Sequence, residues 1–205
     1  MVTTRWGRTF RVALTVAAIT LAPPVVFAQD QPKADAKPGV PIGKGALVAA
    51  GPLLDKLKTA ENADAANALV AQIWEAWSES GDPGVELEMD EAISMMQLER
   101  YDQALALLDA VVGAAPDFAE GWNKRATVHF LMGDYDRSLA DIQRTLVLEP
   151  RHFGAISGLA LIATARGDNA LALSAYQKVL EINPRNAGAR KEVDELTKVL
   201  SGSPI

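Results

Sequence analysis

The stretch HFLMGDYDRSLADIQRTLVLEP, residues 129–150, carries the clearest structural signal in the chain, because its pattern returns 34 residues later. The second version is TARGDNALALSAYQKVLEINP, residues 164–184. When the final prolines are aligned, Gly-Asp coincides with Gly-Asp and leucine with leucine. Self-similarity at a fixed period of this length is typical of stacked helix pairs. The same 34-residue spacing separates Pro116, Pro150 and Pro184.

The breaks in the helical pattern have simple chemical causes. From about Leu47 to Leu200 the chain is dominated by Ala, Leu and charged residues at helical spacing, which predicts helix throughout. Gly133–Asp134 and Gly167–Asp168 each supply a residue suited to a left-handed helix end and a side chain that can cap the next helix. A proline lacks the backbone N–H and cannot continue the helix before it. Each proline therefore marks the corner at which one pair ends and the next begins.

Small side chains recur where two helices must approach closely, and larger ones fill the space between them. Each unit therefore offers an apolar face that it cannot bury alone. The small positions are Ala126 and Ala160 in the first helices and Ala104, Ser138 and Ala172 in the second, while Leu105, Leu139 and Leu173 share one larger position and Val112, Leu146 and Leu180 another.

This pattern resembles the tetratricopeptide repeat family over three units, residues 85–118, 119–152 and 153–186. The resemblance implies an all-α solenoid of stacked antiparallel helix pairs with 34-residue repeats. The middle unit matches best. Its matching positions are Trp122, Ala126, Gly133, Tyr135, Leu139, Leu146 and Pro150.

Some positions depart from the family pattern. Arg125 stands where a leucine is usual, and His129 stands where a tyrosine is usual. In the first unit, Glu99–Arg100 replaces the Gly-Asp pair. The repeated spacing and the shared alternation of small and large residues still predict the repeat architecture.

Helical segments flank the three units. Residues 46–84 predict a degenerate helix pair with a turn near Asn62, and we expect this pair to cap the stack. Its second helix carries Trp74 and Trp77, which at helical spacing are interpreted as core residues. Residues 187–205 predict an amphipathic capping helix and a short tail. The solenoid is therefore expected to have capping helices at both ends.

The first 28 residues predict a secretory signal peptide. Three arginines precede an uncharged run that ends at Val26–Phe27–Ala28. We expect cleavage after Ala28, which would make the protein periplasmic or secreted, with no membrane insertion once the signal is removed. Retention of this segment as a membrane anchor is the alternative. Residues 29–45 are polar and rich in Pro, Gly and Lys, which predicts a flexible linker.

Charge and composition argue against several function classes. The formal net charge is −6, and it becomes −9 without the three arginines of residues 1–28. No basic stripe of the kind that binds nucleic acid is present in the sequence. The chain has no cysteine, and neither His129 nor His152 lies at metal-ligand spacing from other ligands. Both histidines are therefore interpreted as structural, and no metal is expected.

The sequence also lacks a recognisable catalytic constellation. It contains no glycine-rich phosphate loop, no nucleophile elbow and no plausible grouping of Ser, His and Asp. An acidic cluster lies at the start of a predicted helix, where the helix dipole favours negative charge, and this explains it more simply than a bound ion does. We therefore expect no enzyme activity and no cofactor. The cluster consists of Glu86, Glu88, Asp90 and Glu91.

In the family that the chain resembles, ligands commonly lie in a concave groove lined by the first helix of each pair. One subgroup grips C-terminal carboxylates with Lys and Asn one turn apart in the first unit. Met89 and Ile93 stand at those positions here, so we reject that subgroup and expect an apolar groove with polar patches. By alignment the groove residues are Met89, Ile93, Met96, Gln97, Asn123, Thr127, Phe130, Leu131, Ser157, Leu161 and Thr164.

The function stays open at the level of the sequence. The leading functional hypothesis is an exported adaptor or scaffold that binds a partner protein or peptide in the groove. The alternatives are a structural assembly subunit that uses the stack ends or the convex face and, as the least favoured, an enzyme.

Gly154 and Gly158 lie four residues apart in a predicted first helix, where glycine lowers helix stability. They favour close packing against the preceding helix pair over a groove floor made shallow for a partner.

Overall fold

The computed structural model describes residues 44–202, and this part of the chain consists of helices and short connections. The predicted signal peptide and all but the last two residues of the predicted linker lie outside the described residues. Within the described part, no helix is long and apolar enough to cross a membrane. The helices are α1 (Lys44–Lys58), α2 (Ala63–Ser78), α3 (Pro83–Gln97), α4 (Tyr101–Ala114), α5 (Ala119–Leu131), α6 (Tyr135–Leu148), α7 (Phe153–Ala165), α8 (Asn169–Ile182) and α9 (Ala187–Ser201).

The three predicted units each form a packed helix pair. Helices α3 and α4, α5 and α6, and α7 and α8 have the most extensive pairwise contacts, which follow the 34-residue period. The first helices also contact one another, α3 with α5 and α5 with α7, and so form one layer of the stack. Helix α9 packs against α8. The all-α architecture of stacked helix pairs and the C-terminal capping helix are confirmed.

The turns within the units follow the predicted chemistry. Gly133 and Gly167 have φ angles of 79° and 75°, in the left-handed region. After each glycine, an aspartate caps the next helix, and the Asp134 carboxylate accepts from the Arg137 backbone N–H at 3.1 Å. In the first unit, Glu99 adopts the same kind of conformation, with φ 56°, and Arg100 provides no side-chain cap. The first unit therefore has the same turn geometry as the other two, although neither a glycine nor a capping aspartate is present there.

The N-terminal helix pair, which we call the N-terminal hairpin and which consists of α1 and α2, does not lie where we expected. Its turn is at the predicted place, since the Asn62 side chain caps α2 by accepting from Ala65 N. Outside the hairpin, however, α1 contacts α8 and α2 contacts α5, whereas neither has substantial contacts with α3. The expectation that the pair caps the stack ahead of the first unit therefore needs correction. It docks on the second and third units instead.

Ion pairs and backbone hydrogen bonds hold the N-terminal hairpin to loops far along the chain. The Arg151 guanidinium lies 2.6 Å from the Asp55 carboxylate, and Arg185 donates to the backbone oxygen of Glu61 at 2.8 Å. These two arginines occupy equivalent positions in the loops that precede α7 and α9. The hydrophobic pattern of residues 46–84 is the same for either docking position, which is why the sequence did not distinguish them.

Aromatic packing explains the docking and one of the two glycines. Trp77 is buried, and Trp74 lies edge-on to Phe153 with ring centroids 5.3 Å apart. A Cβ atom on Gly154 would fall 2.6 Å from the Trp74 ring, so the ring occupies the space that a side chain would take. A Cβ on Gly158 would meet Ile142 of α6 at 3.2 Å. Gly158 thus packs against the preceding pair as expected, whereas Gly154 accommodates the N-terminal hairpin.

The departures Arg125 and His129 both lie beside Asp141 in the middle unit. Arg125 makes two 2.8 Å hydrogen bonds to Asp141 of α6 and a third of the same length to Asp109 of α4. These bonds, above all those to Asp141, raise the pKa of Arg125. His129 lies 3.9 Å from the same buried Asp141 carboxylate. Where the family has an apolar contact, this chain therefore joins three helices through charge.

Candidate functional site

A cavity of about 130 Å³ lies between α5 and α7, on the layer formed by the first helices, and we call it the groove cavity. Most of its surface is apolar because alanine, glycine and aliphatic side chains form its floor. Helix α6 contributes Ser138 and Ile142 to the lining, and their side chains lie between the two first helices. The lining residues are Asn123, Ala126, Thr127, Phe130, Ser138, Ile142, Gly154, Ser157, Gly158 and Leu161.

Five of the eleven groove residues named from the sequence line this cavity. They come from the second and third units only. Helices α5 and α7 are adjacent, so equivalent positions of the two helices face the same space. Leu161 and Thr127 are exposed, whereas Phe130 is half-buried and lies against Tyr135, with ring centroids 5.6 Å apart. The five are Asn123, Thr127, Phe130, Ser157 and Leu161.

The groove residues of the first unit are placed differently from our expectation. Met89 is 3% exposed and belongs to the core formed by α3 and α4, so its inclusion as a groove-lining residue was wrong. Ile93 and Met96 are partly buried against the same core. Their apolar side chains thus cover the core of their own unit instead of lining the groove cavity. Gln97 is exposed but does not line the cavity.

Leu131 and Thr164 also lie outside the groove cavity. Leu131, the last residue of α5, is 48% exposed. Thr164 is exposed near the end of α7, and its hydroxyl donates to the backbone oxygen of Ala160 at 2.9 Å. Both residues therefore lie toward the C-terminal ends of the first helices, beyond the cavity that α5 and α7 enclose.

A buried group of charged and polar side chains, which the sequence analysis missed, lies beside the groove cavity. We call it the polar cluster, and Glu120 is its centre. This carboxylate is 1% exposed, yet it accepts from Asn123 Nδ2 at 2.9 Å, and its Oε2 lies 3.0 Å from His152 Nε2. Lys124 Nζ lies 2.7 Å from the other oxygen, Oε1, at an angle outside hydrogen-bond geometry, so the attraction there is that of an ion pair. The polar cluster consists of Glu120, Asn123, Lys124 and His152.

The hydrogen bonds of the polar cluster define the protonation state of its members. Burial raises the pKa of Glu120, but the His152 hydrogen bond and the positive charge of Lys124 together outweigh it, so the net pKa lies below its ordinary value. The carboxylate is therefore ionised at neutral pH and accepts hydrogen bonds only. His152 Nδ1 accepts from the Ala155 backbone N–H at 3.1 Å and caps α7. The proton of neutral His152 accordingly resides on Nε2 and is donated to Glu120.

Asn123 links the polar cluster to the groove cavity. It is 6% exposed, so most of its side chain is inside the protein and only a small part of it faces the cavity. Its Nδ2 must face the Glu120 carboxylate, which has no proton to donate. Its Oδ1 has no hydrogen-bond partner among the described residues and is not fully enclosed. The oxygen is therefore an available acceptor at the wall of the cavity.

The N-terminal hairpin covers the other side of the polar cluster. Trp77 stacks on the His152 ring, and Lys124 Nζ lies 5.3 Å from the centroid of the Trp74 ring. The indole Nε1 of Trp77 is buried without a hydrogen-bond partner within residues 44–202. Both histidines have structural surroundings, as the sequence suggested. Across the same residues, no three side chains of the types that ligate metals converge on one point.

One member of the acidic cluster, Glu86, binds backbone groups at the start of α3. The Glu86 carboxylate accepts from the backbone N–H groups of Ser80 and Gly81, at 3.0 and 3.1 Å. Asp82 caps the helix by accepting from Gly84 N at 2.8 Å. These bonds satisfy backbone donors at the helix start. The interpretation from the sequence therefore applies to Glu86, the member of the cluster in the first turn of α3, whereas Glu88, Asp90 and Glu91 lie beyond that turn.

A second cavity, of about 430 Å³, is lined by α6 of the second unit and by α7 and α8 of the third. It is wider and more open to solvent than the groove cavity, and both leucines and charged side chains line it. Leu171 is 42% exposed there, close to the 45% of Leu161 in the groove cavity. Its lining residues are Leu146, Pro150, Ile156, Leu159, Leu171, Ser174, Ala175, Gln177, Lys178 and Glu181.

The comparisons with known proteins agree with this geometry. The family model described as tetratricopeptide repeat matches residues 89–131 and 124–187. A TPR repeat-containing protein from Rhizobium etli is 38% identical over 151 residues, which are 74% of this chain and 74% of that protein. The chain belongs to the tetratricopeptide repeat family. Domains of this family are typically protein-interaction modules without enzymatic activity.

More distant relatives share the fold. The Hsp70-Hsp90 organizing protein of Triticum aestivum is 30% identical over 74 residues, which are 36% of this chain and 13% of that protein. The first TPR of Spaghetti (RPAP3), bound to the HSP90 peptide SRMEEVD, has a TM-score of 0.55 at 20% identity and covers 57% of this chain and 93% of its own. The Sgt2 TPR domain from Aspergillus fumigatus has a TM-score of 0.55 at 20% identity, with 60% and 87% covered.

Proposed function

We propose that this tetratricopeptide repeat protein is an exported adaptor that binds a segment of a partner protein at the groove cavity. The observation that carries the proposal is an apolar cavity between two first helices that keeps Leu161 at its mouth and an available acceptor on Asn123 at its wall. Buried apolar contacts supply affinity, and a few polar groups fix orientation. The first TPR of Spaghetti (RPAP3), which has a similar fold, is bound to an HSP90 peptide.

Site-specific photo-crosslinking tests which face is used. The photoreactive residue p-benzoylphenylalanine would replace Leu161 in one variant and Leu171 in another, and both would be irradiated in cells that make the protein. The two leucines are almost equally exposed, so the comparison isolates the face. We expect one discrete partner to crosslink from position 161 and not from position 171. Crosslinking from neither position, or from 171 alone, contradicts binding at the groove cavity.

A second candidate function, an assembly subunit, has its own observation. The second cavity is larger than the groove cavity, and Val147 of α6 is 71% exposed. Exposed apolar side chains beside an open cavity favour contact with another subunit. A discrete crosslink from position 171 alone would favour this function over the adaptor.

Export is supported by the sequence of residues 1–28 and tested separately. The basic, apolar and small-residue regions occur in the order expected of a secretory signal. Intact-mass measurement of the protein from native cells should give a chain that begins at Gln29. A mass that includes residues 1–28 would favour a retained anchor.

A further inference from the structure

The groove cavity contains polar atoms, but most of its hydrogen-bond donors are already used. The hydroxyl groups of Thr127, Ser138 and Ser157 donate to backbone oxygens at 2.9, 2.7 and 2.8 Å. The Asn123 amide donates one of its two N–H groups to Glu120. A carboxylate needs several donors, and here it finds at most the second Asn123 N–H without breaking an existing bond.

Charge points the same way. None of the residues that line the groove cavity carries a charge, and the whole chain has a formal net charge of −6. Lys124, which follows Asn123 in the sequence, is engaged by Glu120 at 2.7 Å. A buried carboxylate with no cation and at most one donor is strongly disfavoured. The cavity is thus unsuited to an acidic side chain or a C-terminal carboxylate.

The cavity offers apolar volume beside an amide oxygen, that of Asn123, which has no hydrogen-bond partner among the described residues. A volume of about 130 Å³ is comparable with engineered apolar cavities that hold benzene, so it has room for one aliphatic side chain. Phe130 and Leu161 supply contact surface at its mouth, and Asn123 Oδ1 accepts one hydrogen bond from a donor that enters with the ligand.

We infer that the groove cavity binds a peptide segment through one aliphatic side chain and one adjacent N–H donor, and that the segment carries no acidic residue next to that side chain. The inference rests on the proposed function and specifies its ligand. It distinguishes this chain from the neighbour whose peptide is SRMEEVD, which contains two glutamates and an aspartate. Glu120 acts here as a positioning residue, because its ionised carboxylate keeps the oxygen of Asn123 turned toward the ligand.

A random peptide library displayed on phage provides the probe. The full chain would be used for selection, and enriched peptides would be synthesised with free and with amidated C-termini. We expect peptides that share an aliphatic residue without acidic neighbours and that bind equally well in both C-terminal forms. Asn123→Leu removes the acceptor at similar volume and should weaken binding about three- to tenfold, the cost of one hydrogen bond.

Matched variants separate the ligand chemistry from the location of the site. Leu161→Ala should weaken these peptides, whereas Leu171→Ala should not, and far-UV circular dichroism would confirm that all variants are folded. If Leu161-dependent peptides are acidic or require a free carboxylate, the groove remains the site but the inferred chemistry is wrong. Peptides that depend on Leu171, or a selection that enriches nothing, overturn both proposals.

Discussion

Trp77 lies face to face with His152, with ring centroids 4.0 Å apart and an interplanar angle of 13°. Both ring nitrogens of His152 are used inside the protein. Nε2 donates to Glu120, and Nδ1 accepts from the Ala155 backbone N–H and so caps α7. One stacked pair therefore connects the N-terminal hairpin to the start of the third unit. The contact is buried on both sides, with 3% of Trp77 and none of His152 exposed.

Truncation of Trp77 tests how much this contact stabilises the protein. We expect Trp77→Ala to lower the free energy of unfolding by about 3–5 kcal/mol, because it removes a buried aromatic side chain and leaves a cavity. Urea denaturation would measure the change. Trp122→Ala is the control, since Trp122 is only half-buried and should cost less. Equal losses in the two variants would mean that the hairpin contact has no special weight.

The ionised state of Glu120 predicts a pH dependence of stability. Its pKa in the folded protein lies below the ordinary value of 4.5, so the unfolded chain takes up a proton first as the pH falls. The stabilisation is therefore complete above about pH 4.5 and is lost as the pH falls through the folded-state pKa. Glu120→Gln should be less stable at neutral pH and should lose less of its stability on acidification below pH 4.5.

The control for that experiment is Glu181→Gln. The hydrogen bond and charge of Lys178 lower the pKa of Glu181 as well, but this carboxylate is fully exposed to solvent. Solvent screens such a pair, and we expect almost no change at neutral pH. Thermal melts of both variants between pH 3 and pH 7 would show it. An acid limb in Glu120→Gln as steep as in the wild type would contradict the assignment.

Two helical glycines provide a matched test of hairpin docking. Gly154→Ala would place a methyl group 2.6 Å from the Trp74 ring, and we expect overpacking to lower the free energy of unfolding by about 1–3 kcal/mol. Gly113 in α4 has open space around its Cβ position, so Gly113→Ala should stabilise by about 0.5–1 kcal/mol. If both substitutions stabilise the protein, the Trp74 ring does not lie against Gly154, and the docking position described here is wrong.

The turn of the first unit can be improved toward the geometry of the other two. Glu99→Gly relieves a left-handed backbone conformation, and Arg100→Asp supplies the missing cap of α4. Together we expect a gain of about 1–2 kcal/mol, which for a domain of this size raises the Tm by roughly 2–8 °C. Differential scanning calorimetry would measure it. Gly133→Ala, at the corresponding turn of the middle unit, should instead lower the Tm.

The fold was largely predictable because its information is local and repeated. The 34-residue spacing between Pro116, Pro150 and Pro184 defines the helix pairs, and the Gly-Asp turns define their corners. The docking of the N-terminal hairpin was not predictable in the same way. Its position depends on whether Trp74 finds open space above Gly154, and the two residues are 80 positions apart in the sequence.

The candidate site was predictable only in part, for a related reason. Alignment to the repeat named Phe130 and Leu161, and both line the groove cavity, while the binding of a partner there stays a prediction. Alignment does not report burial, so it included the buried Met89 and did not reveal that Asn123 is only 6% exposed. Glu120 was missed although a signal exists, since a carboxylate at the start of one first helix faces the residue that caps the next, which is His152.

The bond between Arg185 and Glu61 has a consequence for how the chain is synthesised and folded. The partners are 124 residues apart, so the hairpin leaves the ribosome long before its docking surface exists. A repeat array with neighbour contacts alone can fold from any position and can fray from either end. Here the beginning of the described chain closes onto its far end, and long-range closure slows folding while it joins the units into one cooperative structure. Truncation after the second unit would therefore leave the N-terminal hairpin without the part of its binding surface that the third unit supplies, as well as removing the last helices.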